Sequence, residues 1–341
     1  MPAITATAPG KIILFGEHAV VYGRPAIAVP VNQVKARAVI SANPRGAKGE
    51  IRIQAPDIDL DTILSELPAD HPLAQVIHET LHELEVNLPP ACTIRITSNI
   101  PMAAGMGSGA AVSVATIRAL SAFLGKLLPD ERISTLTYGI EKIYHGTPSG
   151  IDNTVVTYGL PVGFVRQIKS DNSASASHLA LEARIDLLQV PVPFTIVIGD
   201  TGVPSPTATV VGEVRRQWQA APDQYEQLFD EVGQVSMDAR QAIEGGHPEA
   251  LGPLMNENHR LLQQLDVSSP ELDHLVETAR LSGALGAKLS GAGWGGNMIA
   301  LVNEKTAETV SEVLLQNGAT RVIVTTIRTT GASRDESKKG R

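Results

Sequence analysis

The chain has 341 residues, of which 43% are hydrophobic and 4% aromatic, as expected for a protein with helices packed on sheets. Its length predicts one large domain or two ordinary ones, and two is the better expectation. With 28 Lys and Arg against 36 Asp and Glu, the net charge of −8 argues against nucleic acid or an anionic membrane as a partner bound through bulk charge.

Cysteine content and the N-terminus predict a cytoplasmic location. The single cysteine, Cys92, cannot form an internal disulfide, which fits a reducing compartment. Residues 1–10 contain neither a basic nor an apolar region, so we expect no signal peptide. No stretch of about 18 residues is both apolar and uncharged, so we expect no membrane span. The sequence does not decide whether the chain forms a homodimer.

Hydrophobic periodicity and turn residues predict the elements in chain order. The first half contains strands over 3–40 broken by one loop, strand and hairpin segments over 34–53 with a turn at 43–49, a helix over 72–86, a strand over 92–97, and helices over 110–123 and 130–144. The second half contains strands over 155–165, a loop over 169–177, a strand over 194–198, helices over 210–220, 225–245, 249–265 and 270–282, a glycine-rich loop over 288–296 that enters a strand, a helix over 304–316 and a strand over 320–327.

Three glycines, at positions 105, 107 and 109, separate the strand over 92–97 from the helix over 110–123. A glycine loop that leads from a strand into a helix presents free backbone N–H groups and the positive end of the helix dipole, where phosphate binds. The spacing matches neither GxxxxGK[ST] nor GxGxxG. A flexible turn without a ligand is the alternative, and other segments have to decide between the two.

Two other segments contain polar residues that are candidates for a binding site. A Pro-Gly turn, Lys11 entering an apolar strand, and the pair Glu17 and His18 follow one another within residues 8–23. Glu141 lies on the last turn of a predicted helix, where the dipole disfavours a carboxylate unless a cation is near. Each residue alone is explained as well by a solvated surface, and Asp152 by an ordinary turn.

Read together, these segments resemble the GHMP kinases, a superfamily of small-molecule kinases. The three motifs of that superfamily are present as Pro9-Gly-Lys-Ile12, Gly105-Met-Gly-Ser-Gly-Ala110 and Lys288-Leu-Ser-Gly-Ala-Gly293. The resemblance implies an α+β fold with two domains, the N-terminal one of the ribosomal-protein-S5 type and the C-terminal one ferredoxin-like, with the site in the cleft between them. We therefore expect domains over 1–190 and 191–328, followed by a disordered tail over 329–341.

Within the superfamily, three further segments are similar to the mevalonate kinases. These are Gly16-Glu-His-Ala-Val-Val-Tyr-Gly23, Glu141 followed by His145-Gly-Thr-Pro-Ser-Gly-Ile-Asp-Asn153, and Asp200-Thr-Gly-Val-Pro-Ser-Pro-Thr207. The resemblance implies transfer of the γ-phosphoryl group of ATP, with Mg²⁺, to the 5-hydroxyl of mevalonate. Such a reaction needs a phosphate cradle, a divalent metal, a cation near the developing charge and a group that orients or deprotonates the alcohol.

The resemblance assigns these roles to residues. Asp152 would accept the alcohol proton, with Lys11 holding it ionised, and Glu141 and Ser108 would bind Mg²⁺. The substrate contacts would be Lys11, Glu17, His18, Asp152 and Thr207. The nucleotide contacts would come from the glycine loop and the start of its helix: Pro101, Met102, Ala103, Ala104, Gly105, Met106, Gly107, Ser108, Gly109, Ala110 and Ala111.

The chain departs from the superfamily pattern at three positions. Gly109 stands where many members have a second serine, often assigned to the metal, so Ser108 or water must replace that ligand. Trp294 and Asn297 stand where glycine and a small residue or cysteine are usual. Trp294 would either narrow the cleft or pack outward into the core.

Two other functions fit part of the pattern. A phosphomevalonate kinase would need additional basic residues near 17–24 and 200–207, where Arg24 is the only one. A non-catalytic relative that senses ATP or mevalonate should have lost Lys11, Glu141 or Asp152, and all three are present.

Overall fold

The computed structural model of the protein describes residues 3–101, 104–145, 148–166 and 183–329. In these ranges the chain forms two mainly antiparallel β-sheets flanked by helices, which agrees with the predicted α+β class. No helix in the described part of the chain is long and apolar enough to cross a membrane.

The first sheet has seven strands and comes from the first half of the chain. The strands are β1 Ile4–Phe15, β2 Pro25–Ala42, β3 Ile51–Ala55, β4 Leu60–Ile63, β5 Cys92–Ser98, β6 Val162–Arg166 and β7 Ala183–Leu187. Their order is β4-β3-β5-β2-β6-β7, and β1 pairs antiparallel with the long β2. Strand β1, which carries Lys11, pairs with β2 along nearly its whole length, and β5 and β6 pair with other parts of β2.

In the described ranges, four helices accompany the first sheet: α1 Pro72–Glu83, α2 Ser108–Phe123, α3 Asp130–His145 and α4 Ile151–Tyr158. The alanine-rich α2 packs on β1 and β2 and is itself flanked by the other three helices. Alanine has a high helix propensity and a small side chain, so α2 approaches the sheet closely and is buried along most of its length. This packing fixes the N-terminus of α2 beside β1.

The second sheet has four strands, β8 Phe194–Asp200, β9 Gly286–Ser290, β10 Asn297–Val302 and β11 Arg321–Ile327, in the antiparallel order β11-β8-β10-β9. Its helices are α5 Thr207–Ala220, α6 Pro222–Glu244, α7 Leu251–Gln264, α8 Pro270–Leu281 and α9 Ala307–Gln316. Every residue of β9 and β10 is buried. The first sheet ends at Leu187 and the second begins at Phe194, so the expected domain boundary at 190 falls between them.

The two sheets meet along β1 and β2. Strand β9 contacts β1, β11 contacts β2, and α6 packs against β2. Most buried apolar side chains of both halves form one continuous cluster, and a second, smaller cluster lies between β2, α4 and β6. The C-terminal end of β1, the loop that follows it and the segment after β9 therefore lie together.

The hairpin predicted over 34–53 is wrong, because β2 and β3 are not neighbours. Strand β5 lies between them, antiparallel to β2 and parallel to β3. The turn residues that suggested a hairpin form a longer loop whose backbone binds the segment before β5: the Asn43 N–H donates to the Ala91 carbonyl and the Gly49 N–H to the Pro89 carbonyl. The residues at 43–49 do favour a turn. However, β2 and β3 both pair with β5, which begins about 40 residues after β3 begins.

The strands predicted over 155–165 are also partly wrong. Residues Ile151–Tyr158 form α4, and only Val162–Arg166 is a strand. The β-branched run at 154–157 favours a strand by propensity, but packing of α4 against α2, α3 and β1 overrides that preference. Strands β4, β7 and β9 were not predicted. The predicted loop over 169–177 and nearly all of the predicted tail lie outside the described residues.

Candidate active site

Lys11 and Asp152 form an ion pair beside the start of α2. Lys11 comes from β1 and is 4% exposed, and its Nζ lies 2.9 Å from Oδ1 of Asp152. Asp152 is the second residue of α4, which begins directly after Gly150, whose φ of 89° is left-handed. The Asp152 side chain is 31% exposed, so a ligand can reach it.

The glycine loop rests against this ion pair. A Cβ on Gly107 would lie 2.9 Å from Cγ of Lys11 and 3.6 Å from Oδ2 of Asp152. Gly107 has φ 70° and directly precedes α2, whose first internal hydrogen bond is from the Ala111 N–H to the Gly107 carbonyl. The first N–H groups of α2 have no partner within the helix, so an anion can bind there.

The other loop residues are placed as follows. Gly105 has φ 69° and no atom within 4 Å of the position of a Cβ, whereas Met106 is buried. Ala110 and Ala111 are buried in the core, so they can offer only backbone groups to a nucleotide. Ser108 and Pro101 are half-buried, and Met102 and Ala103 lie outside the described residues.

Glu141 on α3 approaches the same helix N-terminus. It is 7% exposed, and a Cβ on Gly109 would lie 3.2 Å from its Oε1. Burial, with a smaller contribution from the charge of Asp152, raises the pKa of Glu141 to about 8, and Lys11 opposes this shift. The glycine that replaces the usual second serine thus leaves room for the Glu141 carboxylate beside the start of α2.

These residues fit a magnesium ion that is bound together with a nucleotide. Burial disfavours the charged form of the Glu141 carboxyl group, and a bound cation would stabilise that form. In the described ranges no group of three or more His, Cys, Asp and Glu side chains forms a metal cluster. Mg²⁺ is commonly held by one or two carboxylates, phosphate oxygens and water, so such a cluster is not required.

Glu17 forms a second ion pair, with Lys288 of β9, and both side chains are completely buried. Burial raises the pKa of Glu17 and lowers the pKa of Lys288, while each charge compensates the other. The Lys288 ammonium also donates to the carbonyl of Leu289 at 2.7 Å. Sequence reasoning gave Lys288 no role, although it begins the third glycine-rich motif.

His18 links the loop after β1 to the third glycine-rich segment, the same two parts of the chain that Glu17 and Lys288 connect. Its Nε2 lies 2.8 Å from the carbonyl oxygen of Ala292, and its backbone has a left-handed φ of 60°. Burial lowers the pKa of His18 to about 4, so the ring is neutral near pH 7. Since a carbonyl can only accept, Nε2 carries the proton and Nδ1 remains an acceptor. The hydroxyl of Ser290 adds a third link by donating to the Ile13 carbonyl at 2.6 Å.

In the described chain, the side chains of Thr207 and Trp294 take no part in these hydrogen bonds and ion pairs. Thr207 is the exposed first residue of α5, and no hydrogen bond in the described chain joins its side chain to another predicted site residue. Trp294 packs partly buried against the core, and its indole Nε1–H donates to the Asp266 carbonyl at 2.8 Å. Trp294 therefore anchors the third glycine-rich segment to the turn after α7.

Comparison with known proteins identifies the family. The family models described as GHMP kinases N terminal domain and GHMP kinases C terminal match residues 73–159 and 239–320. The mevalonate kinase of Thermococcus gammatolerans is 37% identical, with 92% of this chain and 94% of that protein covered. The chain belongs to the mevalonate kinase family. The predicted family and enzyme class are thus confirmed.

Solved structures of mevalonate kinases agree in fold. The crystal structure of the L. major mevalonate kinase in complex with R-mevalonate is 31% identical, covers 96% of this chain and 97% of its own, and superposes with a TM-score of 0.81. The Methanococcus jannaschii mevalonate kinase is 28% identical, with 96% and 99% covered and a TM-score of 0.79. The GHMP kinase fold predicted from the motifs is confirmed.

Proposed function

We propose that this chain transfers the γ-phosphoryl group of ATP to the 5-hydroxyl of mevalonate, giving 5-phosphomevalonate and ADP. The observation that carries the proposal is the ion pair of Lys11 and Asp152, set against the N-terminus of α2 in a chain of the mevalonate kinase family. The L. major relative was solved with R-mevalonate, which supports the same acceptor here. Residues 1–190 and 191–328 would be the two domains that enclose the site.

In this mechanism the loop and α2 bind the triphosphate through backbone N–H groups, and Lys11 and Asp152 act on the acceptor. The alcohol oxygen forms a bond to the γ-phosphorus while the bond from that phosphorus to the β,γ-bridging oxygen breaks, and ADP leaves. The alcohol proton passes to the Asp152 carboxylate, which lies beside Lys11 and is accessible to a ligand. The Lys11 ammonium stabilises the negative charge that develops on the transferring group.

Glu141 and Ser108 would hold Mg²⁺ at the start of α2, where the ion would neutralise charge on the phosphate oxygens. Gly109 supports this assignment because it leaves space for the Glu141 carboxylate. His18 and Glu17 are nearly or completely buried, so in this proposal they shape the acceptor side of the cleft mainly through the loop that carries them. Thr207 is kept as a contact to mevalonate by analogy with the family alone.

The competing phosphomevalonate kinase activity is disfavoured by the environment of Arg24. Its guanidinium group is already committed to two carboxylates, Glu226 and Asp230, in the described chain. The phosphate group of phosphomevalonate would need a nearby cation that carboxylates do not already neutralise. The local charges therefore favour mevalonate, which carries a carboxylate and hydroxyl groups but no phosphate.

A coupled assay of ADP release with four acceptors tests the proposal. Purified protein is assayed with ATP and Mg²⁺ against mevalonate, phosphomevalonate, homoserine and galactose, with a metal-free control. We expect turnover with mevalonate only, and only with the metal. Faster turnover of phosphomevalonate or galactose would overturn the assignment.

A further inference from the structure

Asn297 connects the second sheet to the glycine loop before α2, from here on called the phosphate loop, across 193 positions in the sequence. It is the first residue of β10 and is 1% exposed. Its side-chain Nδ2 donates a hydrogen bond to the carbonyl oxygen of Ala104, which directly precedes Gly105 in the loop. This is one of the positions at which the chain departs from the superfamily pattern, where a small residue or cysteine is usual.

The hydrogen bonding of the Asn297 amide shows which of its two polar atoms is used. The carbonyl of Ala104 can only accept, so the group that faces it is the NH₂. The other atom, Oδ1, is buried and has no hydrogen-bond partner among the described residues. A buried, unpaired amide oxygen is unfavourable, and a small apolar residue would avoid it. Among the described residues, the bond to Ala104 is therefore the one hydrogen bond that the amide side chain adds here.

The phosphate loop is held from both sheets. On the side of the first sheet, the backbone N–H of Lys11 donates to the Met106 carbonyl at 3.0 Å. On the side of the second sheet, Asn297 holds Ala104, and a Cβ on Gly296 would lie 3.8 Å from the same carbonyl oxygen. Gly105, between the two anchored carbonyls, has open space on the side where a Cβ would point.

We infer that Asn297 is a positioning residue for the nucleotide, because it fixes the loop that precedes the N-terminus of α2. A loop that is already held in its binding conformation loses less conformational entropy when the triphosphate binds. The inference rests on the proposed function only in taking the loop as the ATP site, and it does not depend on the acceptor. It also gives the second sheet a part in nucleotide binding, which acts through the loop.

Two substitutions test the inference. Asn297→Ala removes the donor, and Asn297→Asp keeps the size but turns a carboxylate oxygen toward the Ala104 carbonyl. Asn258→Ala is the matched control, since Asn258 is also fully buried, in α7, but neither polar atom of its side chain has a hydrogen-bond partner in the described chain. Binding of a fluorescent ATP analogue, KM for ATP and for mevalonate, kcat and Tm are measured for all three.

We expect the Kd for the analogue and the KM for ATP to rise about tenfold in Asn297→Ala and further in Asn297→Asp, with the KM for mevalonate within about twofold of the wild type. Asn258→Ala should leave nucleotide affinity unchanged, and its Tm shows the effect of replacing a buried amide that is unrelated to the loop. Wild-type nucleotide affinity in both Asn297 variants, or equal losses for ATP, mevalonate and the control, would overturn the inference. A wild type that binds the analogue but does not phosphorylate mevalonate would instead refute the proposed function alone.

Discussion

Two lysine–carboxylate pairs lie near the cleft, and they differ mainly in access to water. In the pair of Lys11 and Asp152 the carboxylate side chain is 31% exposed, whereas in the pair of Lys288 and Glu17 both side chains are fully buried. The first pair joins β1 to the start of α4, next to the phosphate loop. The second joins β9 to the loop after β1, across 271 positions in the sequence.

The difference shows how the same two chemical groups serve different purposes. A carboxylate that a ligand can reach is able to take a proton from that ligand. A carboxylate closed off from solvent, with its partner lysine equally buried, holds two segments of backbone in place and becomes costly when one charge is removed. We therefore expect the first pair to control catalysis and the second to control stability, and three measurements can break or sharpen this comparison.

The largest effect is expected for Asp152→Asn, which keeps the size of the side chain but cannot accept a proton. We expect kcat to fall by roughly 10²–10⁴-fold, the usual contribution of general acid–base catalysis, while affinity for a fluorescent ATP analogue stays near that of the wild type. If Asp152 acts by positioning alone, the loss will be smaller and independent of pH, since phosphoryl transfer can need little base catalysis. Profiles of kcat against pH separate the two, and wild-type kcat would remove Asp152 from the mechanism.

The buried pair is tested by a double-mutant cycle on stability. Lys288→Met and Glu17→Gln should each lower the free energy of unfolding by about 3–5 kcal/mol, because each leaves one buried charge without its partner. The double variant should be more stable than the sum of the two losses predicts. Denaturant unfolding measures all three.

Lys11→Met is the control for that cycle, because it breaks the solvent-accessible pair. It should abolish most activity but cost less stability than Lys288→Met, since the Asp152 carboxylate left behind can be hydrated. Equal stability losses in the two lysine variants would show that solvent access does not separate the roles of the pairs.

The smallest effect concerns Glu141 and pH. Its pKa in the folded protein, about 8, is above its ordinary value of 4.5, so the folded state binds the proton more tightly than the unfolded state. Its contribution to stability is therefore fully present below about pH 4.5 and is lost as the pH rises through about 8. In metal-free buffer, Glu141→Gln should flatten the fall in Tm between about pH 5 and 8.5.

Two histidines act in the opposite direction in part of that window. The pKa values of His18 and His259 are lowered from 6.5 to about 4 in the folded protein, so their contribution to stability rises as the pH approaches about 6.5. Both histidines are also present in Glu141→Gln, so the difference in Tm between the wild type and that variant isolates the contribution of Glu141. An identical dependence of Tm on pH in the wild type and in Glu141→Gln would show that Glu141 does not titrate there.

The sequence by itself determined the family, the fold class and most elements. The strand, glycine loop and helix over 92–123 were predicted with their ends within two residues of those observed, because glycine placement and apolar periodicity are local signals. The convergence of Lys11, Asp152, Glu141 and the loop was implied by motif resemblance, and these residues do lie together. Their catalytic and metal-binding roles stay predictions.

Only the tertiary structure decided the partners of Lys288 and Asn297. No local pattern shows that a lysine in a glycine-rich segment meets a glutamate 271 positions away, or that an asparagine meets a loop carbonyl 193 positions away. The same holds for β5 between β2 and β3, and for α4, where packing overrode the strand preference of β-branched residues. Propensity acts over a few residues, whereas burial and pairing depend on how distant segments meet, and that information appears only once the chain has folded.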